Sequence, residues 1–214
     1  MHCRRRVELR RGATVTTLAQ CRSCPRLVHH LKRMAEANPD WHNAPVPGLG
    51  PADAPLLILG LAPGRLGANR TGIPFVGDRS AVWLQERLTE RGCMSVEGQP
   101  QGIRISNAVK CLPPGNKPST REIKMCTKKW LRHELGPPKV VFALGRIAHD
   151  AVLRCVGLPL TRHPFAHGAA HQVGELHLVD SFHPSPLNTQ TGRLSAEQFL
   201  VALDRAIKLT VGGP

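Results

Sequence analysis

The chain of 214 residues contains no tyrosine, and aromatic residues make up only 4% of it. Negative charge is also scarce: 15 Asp and Glu face 29 Lys and Arg, which gives a formal net charge of +14. The basic residues are spread along the chain, and this favours nucleic acid as the partner. An anionic membrane would attract the same charge, but no stretch approaches the roughly 20 apolar residues of a spanning helix. We therefore expect a nucleic-acid-facing protein that has no membrane association.

The first residues, MHCRRRVELRRGATV, are rich in Arg but lack the apolar core of a secretory signal. A mitochondrial transit peptide is disfavoured because Glu8 interrupts the basic run and Ser is scarce. We expect a basic, flexible arm over residues 1–18 and one domain over residues 19–210. The expected location is the cytoplasm, where cysteines serve as thiols or metal ligands and not as disulfides.

Strand and helix patterns alternate along the chain. Apolar runs rich in β-branched residues predict strands over 54–60, 103–109, 139–145 and 175–182. Helical periodicity follows over 80–91, 119–135, 146–156 and 195–209. This alternation predicts a three-layer α/β/α sandwich with a central four-stranded, mainly parallel sheet.

Three unusual loops begin where predicted strands end. They are GLAPG after the first strand, NAVKCLPPGN at the second and HPSPLNTQTGR after the fourth. Because ligands bind beyond the carboxyl ends of parallel strands, the three loops are expected to form one site. The Gly-rich loop is not followed by Gly-Lys-Ser/Thr, so a nucleoside triphosphate is not the expected ligand.

Four cysteines form an irregular set. Cys21 and Cys24 make one CxxC pair, and Cys111 and Cys126 are single. Four thiolates suit either Zn²⁺ or an iron–sulfur cluster, although zinc sites more often combine two CxxC pairs. A redox pair or simple packed thiols remain alternatives. Cys3, Cys93 and Cys155 have no partner at motif spacing and are expected to be ordinary thiols.

The loops and the cysteine set together resemble the iron–sulfur members of the uracil-DNA glycosylase superfamily. The resemblance lies in GLAPGRLGANRTGIPFVGD (60–78), ISNAVKCLPPGNKP (105–118) and HPSPLNTQTGRL (183–194), and it extends over about residues 20–208. The NRTG and NTQTGR segments look like family 5. Family 4 is the next most similar, but it usually has an acidic residue where this chain has Leu61.

The resemblance implies a structural [4Fe-4S] cluster bound by Cys21, Cys24, Cys111 and Cys126. It also implies a monofunctional enzyme of base excision repair that hydrolyses the N-glycosidic bond of uracil in DNA and leaves an abasic site. We expect the protein to be a monomer. Family 5 further implies a broader pocket that accepts deaminated purines such as hypoxanthine.

Such an enzyme flips the base into a pocket and stabilises the negative charge that develops on it. We assign leaving-group stabilisation to His183 and recognition of the base edge to Asn107, as the resemblance suggests. The alternatives are a packed or capping histidine and a turn-forming asparagine. Asn116 has a weaker claim to contact the base.

The first loop is expected to form the wall of the pocket. Phe75 would stack on the flipped base, with core packing as the alternative. The other predicted substrate-binding residues offer backbone contacts: Gly60, Leu61, Ala62, Pro63 and Gly64.

One expected catalytic feature is missing from this loop. Related families place a polar residue near Leu61 to orient the hydrolytic water, but Leu61 and Ala62 offer no side-chain acceptor. The nearest carboxylate, Asp78, is predicted to be either a helix N-cap or the residue that orients water or stabilises the sugar cation. The gap keeps open a catalytically silent protein that only binds uracil or abasic DNA.

DNA contacts are expected from residues near the same loops. Leu187 is predicted to fill the gap left by the flipped base, and Arg193 to bind a phosphate. The remaining predicted DNA-binding residues are Arg65, Asn69, Arg70, Lys110 and Ser185. A zinc-stabilised nucleic-acid-binding protein without enzymatic activity is a second alternative.

Overall fold

The computed structural model describes residues 17–212, and most of the predicted arm at 1–18, with Cys3, lies outside them. A central sheet has the strand order β2-β1-β3-β5-β4. Its strands are β1 (Leu56–Gly60), β2 (Ile103–Asn107), β3 (Val140–Leu144), β4 (Ala170–Val173) and β5 (Leu176–Ser181). Neighbours among β2, β1, β3 and β5 pair in parallel, whereas β4 pairs with β5 in the antiparallel direction.

The four predicted strands are all present, but the predicted count of four is wrong because β4 is a fifth. This edge strand has the sequence Ala-His-Gln-Val, and only Val173 is buried. A short, half-exposed edge strand has neither the apolar run nor the β-branched composition that identified the others. The central strands β1 and β3, by contrast, are buried at every position, as strands covered on both faces must be.

Helices cover both faces of the sheet, which confirms the predicted α/β/α sandwich. They are α1 (Pro25–Ala37), α2 (Ala68–Thr71), α3 (Arg79–Glu90), α4 (Thr120–Cys126), α5 (Arg132–Glu134), α6 (Arg146–Val156), α7 (Pro186–Gln190) and α8 (Ala196–Thr210). One core joins the sheet to α1, α4 and α6, and the other joins it to α3 and α8. None of the helices in residues 17–212 combines the length and apolar composition that a bilayer crossing requires.

Local sequence signals account for most helix boundaries. Ser119 and Ser195 each form a capping box at the start of α4 and α8. The helix predicted over 119–135 is interrupted by a π-helical turn at Thr127–Leu131, directly after Cys126. Such turns shift the helical register and often occur at functional sites.

The strand ends bring the three loops together. Gly60 ends β1 and pairs in register with Asn107, which ends β2. Ser181 ends β5 beside Leu144 of β3, and His183 follows two residues later. The fold therefore delivers the first residues of all three loops to one edge of the sheet.

Candidate active site

A cavity of about 400 Å³ lies at this edge of the sheet. Residues from all three loops line it: Leu61, Ala62, Pro63, Gly64, Ala68, Phe75, Asp78, Ser80, Asn107, Asn116, His183, Ser185 and Pro186. The three residues predicted to be catalytic, His183, Asn107 and Asp78, therefore share one cavity. Its volume lies within the range typical of small-molecule sites.

Asn107 is held at the floor of this cavity. The residue is only 4% exposed, and its Oδ1 is buried without a hydrogen-bond partner in the described chain. Gly60 makes this placement possible, because a Cβ at that position would lie 2.5 Å from Oδ1 of Asn107 and 2.7 Å from Cζ of Phe75. A buried polar atom without a partner is costly, so a ligand that supplies one gains affinity.

Phe75 occupies an uncommon backbone conformation. Its φ is +53°, in the left-handed region, where a bulky residue is strained. Gln85 of α3 holds this turn by donating from Nε2 to the Phe75 carbonyl at 2.8 Å. The ring is thereby held in the cavity, with its centroid 6.4 Å from that of His183.

His183 is partly buried, and its backbone is fixed independently of its ring. Its carbonyl accepts hydrogen bonds from the Ser185 N–H and from Asn188 Nδ2, both at 2.8 Å. Burial lowers the pKa of the imidazole, although the charge of Asp78 partly opposes the shift. The ring is consequently neutral at pH 7 and has one N–H to donate.

Asp78 caps a helix and also lines the cavity. Its Oδ1 accepts from the Ala81 N–H at 2.9 Å, so the predicted cap at the start of α3 is present. Its Oδ2 faces the first loop closely enough that a Cβ at Gly64 would lie 2.8 Å away, and one at Gly67 would collide with it. The glycines of this loop therefore leave room for the second carboxylate oxygen beside the cavity.

Several predicted DNA contacts lie on the surface around the cavity. Leu187 on α7 is 73% exposed, which is unusual for a large apolar side chain. Arg193 is exposed and lies 4.5 Å over the Phe182 ring, while Arg65 lies 5.9 Å over Trp41. Ser185 lines the cavity and caps α7 through its side chain.

Arg70 also has a structural role in the first loop. Its Nε donates to the Leu66 carbonyl at 2.9 Å, and its terminal nitrogen donates to the Gly77 carbonyl at 3.1 Å. The guanidinium thus joins the two ends of the segment that carries Phe75. It is exposed and keeps donors that are free to face solvent.

The structure contradicts two of the predicted DNA contacts. Asn69 is fully buried and donates from Nδ2 to Oδ1 of Asn43 at 2.9 Å. Lys110 is 1% exposed, and its Nζ lies 2.6 Å from Ser106 Oγ and 2.5 Å from Glu134 Oε2. Neither side chain reaches solvent: the Lys110 ammonium is paired within the fold, and Asn69 is buried with its Nδ2 bonded to Asn43 and its Oδ1 without a partner in the described residues.

These partners are the residues that sequence reasoning missed. Asn43 and Glu134 lie 26 and 24 residues from the side chains they bind, so no local pattern indicates them. Gln85 likewise reads as one polar position of an amphipathic helix. Asn188, in contrast, lies inside the NTQTGR segment and was within reach of motif analysis.

The four motif cysteines line one small, separate cavity. Burial raises the pKa of Cys111 to about 12, with further increases from Cys126, Cys21 and Cys24. Burial also raises the pKa of Cys126 to about 11, against the effect of the Lys110 backbone N–H, which donates to its Sγ at 3.3 Å. No three of the four sulfur atoms lie within 4.8 Å of one another. In the described residues only one group of three His, Cys, Asp or Glu side chains meets that distance, and it contains no cysteine.

The fold, together with a cavity at the ends of β1, β2 and β5 and a nearby group of four cysteines, defines the class of this protein. A family model described as the uracil DNA glycosylase superfamily matches residues 47–206, and the chain belongs to this superfamily.

Within the superfamily, the chain is more similar to the type-5 than to the type-4 relatives named here. The chain is 44% identical to a type-5 uracil-DNA glycosylase of Thermus thermophilus over 93% of its own length and 98% of the relative. It is 38% identical to a type-5 uracil-DNA glycosylase of Pyrobaculum aerophilum over 90% of each chain. A type-4 uracil-DNA glycosylase of Archaeoglobus fulgidus is 30% identical over 65% of this chain and 70% of the relative. The predicted preference for family 5 over family 4 is confirmed.

Proposed function

We propose that this protein hydrolyses the N-glycosidic bond between uracil and deoxyribose in DNA and leaves an abasic site. The observation that carries the proposal is the unpartnered Oδ1 of Asn107 in a cavity shared with His183 and Phe75. An Asn amide offers one acceptor and two donors, which match an N–H and a neighbouring carbonyl on the edge of uracil. The flipped base would supply the hydrogen-bond donor that Oδ1 of Asn107 lacks in the described residues.

His183 is proposed to stabilise the leaving base. Negative charge develops on a pyrimidine carbonyl oxygen as the bond breaks, and a fixed donor in a site that excludes water stabilises it strongly. Burial keeps the imidazole neutral, so it donates a hydrogen bond and need not transfer a proton. The backbone hydrogen bonds from Ser185 and Asn188 hold the residue in place for this role.

Asp78 is proposed to orient water or to stabilise the sugar cation. Leu61 and Ala62 line the cavity without a side-chain acceptor, so the first turn of the loop cannot do either. The cap uses only Oδ1 of Asp78, and Oδ2 remains beside the open edge of Gly64. One carboxylate can therefore serve both the helix and the cavity.

The cysteine cavity fits a [4Fe-4S] cluster. A single zinc ion with Zn–S bonds of about 2.3 Å would bring its sulfur ligands to about 3.8 Å from one another. No three of these sulfur atoms lie mutually within 4.8 Å, which suits the larger cluster. When bound, the cluster would join the segment before α1 to the loop after β2 and to the end of α4, as a structural cross-link near Asn107.

Recognition of duplex DNA is proposed to use the exposed residues around the cavity. Leu187 is placed to fill the gap in the base stack, and Arg65, Arg70 and Arg193 to approach phosphates. With a net charge of +14, binding should weaken steeply as salt concentration rises. We propose that the protein acts as a monomer, to be tested by light scattering of the purified chain.

A base-release assay tests the proposed activity. The protein is incubated with duplexes that contain uracil, hypoxanthine or xanthine, and free base and abasic sites are measured. Release of uracil, lost in His183→Ala but retained in the exposed control His133→Ala, is the expected outcome. A protein that binds uracil duplex but releases no base would be the silent binder that Leu61 leaves open. Release of hypoxanthine would support the broad pocket.

The cluster has its own test. Purified protein should be brown and contain about four iron atoms per chain, as the proposed cluster requires. Cys24→Ser should lose both the iron and the activity, whereas Cys155→Ser should keep them. A colourless protein that contains zinc at the cysteines would contradict the cluster proposal.

A further inference from the structure

A second group of metal-ligating side chains lies on the other half of the sheet, away from the cysteines. It consists of His149 on α6, His171 on β4 and Asp180 on β5, and the three ligand atoms lie within 4.8 Å of one another. Asp180 is fully buried, His149 is 1% exposed, and the His171 side chain is 13% exposed. The proposed glycosylase activity uses none of the three.

The hydrogen bonding of His149 calls for an additional proton or a metal ion at this place. Its Nε2 lies 2.9 Å from the His163 carbonyl, and its Nδ1 lies 2.7 Å from Asp180 Oδ1. Both partners are acceptors, whereas a neutral imidazole carries only one N–H. Either the pair of His149 and Asp180 holds one proton more than a neutral imidazole and a carboxylate, or a metal ion bound by both groups takes the place of that proton.

The surroundings suit a metal ion. His171 Nε2 approaches the same carboxylate, 3.3 Å from Oδ2, so two imidazoles converge on one aspartate. The His163 carbonyl accepts from His149 Nε2, and the Ala166 N–H donates to Asp180 Oδ2 at 3.4 Å. Hydrogen-bond partners of this kind orient the ligands of metal sites. When a backbone carbonyl accepts from one nitrogen of an imidazole, the other nitrogen is left unprotonated and can bind the metal.

We propose that His149, His171 and Asp180 form a binding site for a divalent transition metal ion of the Zn²⁺ type. Two imidazoles and a carboxylate are a common three-ligand set for such ions, and water completes the coordination. The ion would join α6 to the antiparallel β4–β5 hairpin and hold the strand that leads to His183.

Burial lowers the pKa of His149, but the hydrogen bond and charge of Asp180 outweigh burial and raise it.

Zinc loading of the purified protein, with its iron content unchanged, tests the site. The protein is incubated with Zn²⁺, passed through a desalting column and analysed for zinc and iron. One zinc per chain is expected for the unmodified protein. His171→Ala should bind none, and because His171 lies on the half-exposed edge strand, this variant is expected to fold.

His177→Ala is the matched control, since His177 lies on β5 in the same hairpin but outside the ligand set. Zinc at a hundred times its Kd should raise the thermal midpoint of the unmodified protein and of His177→Ala by about 5–10 °C, but not that of His171→Ala.

X-ray absorption at the zinc edge decides which site is occupied. Neighbours at about 2.0 Å from nitrogen and oxygen, without sulfur at about 2.3 Å, are expected. The proposal is overturned if the protein retains no zinc, if His171→Ala retains it, or if sulfur neighbours place the zinc at the cysteines.

Discussion

Asn107 ends β2 and Lys110 follows it by three residues, but the two side chains differ in their hydrogen bonding. Both are almost fully buried polar side chains. Lys110 has hydrogen bonds to Ser106 and Glu134, whereas Oδ1 of Asn107 has no partner in the described chain. Burial of a polar group is costly unless its hydrogen bonds are made, so the satisfied residue stabilises the fold and the unsatisfied residue awaits a ligand.

The largest effect is expected from removal of the Lys110 charge. Lys110→Met leaves the Glu134 carboxylate with the Ser106 hydroxyl and with Arg104 at 3.8 Å, but without its nearest cation. Loss of one member of a buried ion pair typically costs about 3–5 kcal/mol. We expect the thermal midpoint to fall by about 10 °C. Replacing both members, in Lys110→Met with Glu134→Leu, should recover part of the loss. An unchanged midpoint with weaker DNA binding would instead restore Lys110 as a DNA contact.

Asn107→Ala tests the other side of the comparison. Loss of a hydrogen-bonding group that acts in the transition state should lower kcat about 100- to 1000-fold, equivalent to about 2.7–4 kcal/mol. The thermal midpoint should not fall, because the variant removes a buried oxygen that had no partner. Base-release rates and thermal unfolding on the same preparations measure both. If Asn107→Ala lost as much stability as Lys110→Met, then Asn107 would also be a residue that stabilises the fold, and the contrast with Lys110 would be wrong.

Phe75 is a third residue of the cavity, and its backbone is strained at a positive φ. Phe75→Ala should lower kcat/KM for uracil release by roughly 5- to 150-fold, the equivalent of about 1–3 kcal/mol of base stacking. Phe75→Leu, which keeps apolar volume but no aromatic face, should lose almost as much. If Phe75→Leu keeps full activity, then Phe75 contributes by apolar packing and not by stacking on the base. Gln85→Ala should give a smaller loss, since it frees the turn without removing the ring.

The smallest effect expected is on the pH dependence. Burial lowers the pKa of His183 below the ordinary value of about 6.5, so the ring stays neutral as the pH falls through 6.5. Base release should therefore stay level from pH 8 to about 6.5 and decline only at lower pH, where an imidazolium would pair with Asp78. Asp78→Asn removes the charge that raises this pKa and should move the decline to still lower pH. A decline centred at 6.5 or above would contradict the assignment.

The sequence predicted the features that are carried by short segments. Continuous apolar runs identified β1 and β3, helical periodicity located α4 and α8, and motif loops located His183, Asn107 and Phe75 in one cavity. Features that depend on distant partners were missed. Lys110 and Asn69 read as polar loop residues because their partners, Glu134 and Asn43, come from other elements. The edge strand β4 was missed because pairing with β5, more than its own composition, makes it a strand.

Pairing of Gly60 with Asn107 has a consequence for how this site can diversify. The floor of the cavity is formed by the ends of two adjacent strands, and their separation is fixed at about 4.8 Å by the hydrogen-bonding geometry of any sheet. The opposite wall, from Leu61 to Asp78, belongs to a loop that can change length and sequence without disturbing the core. Proteins with this architecture can therefore accept other nucleobases through changes in the loop alone. The position of Asn107, which we propose contacts the edge of the base, stays fixed by the sheet.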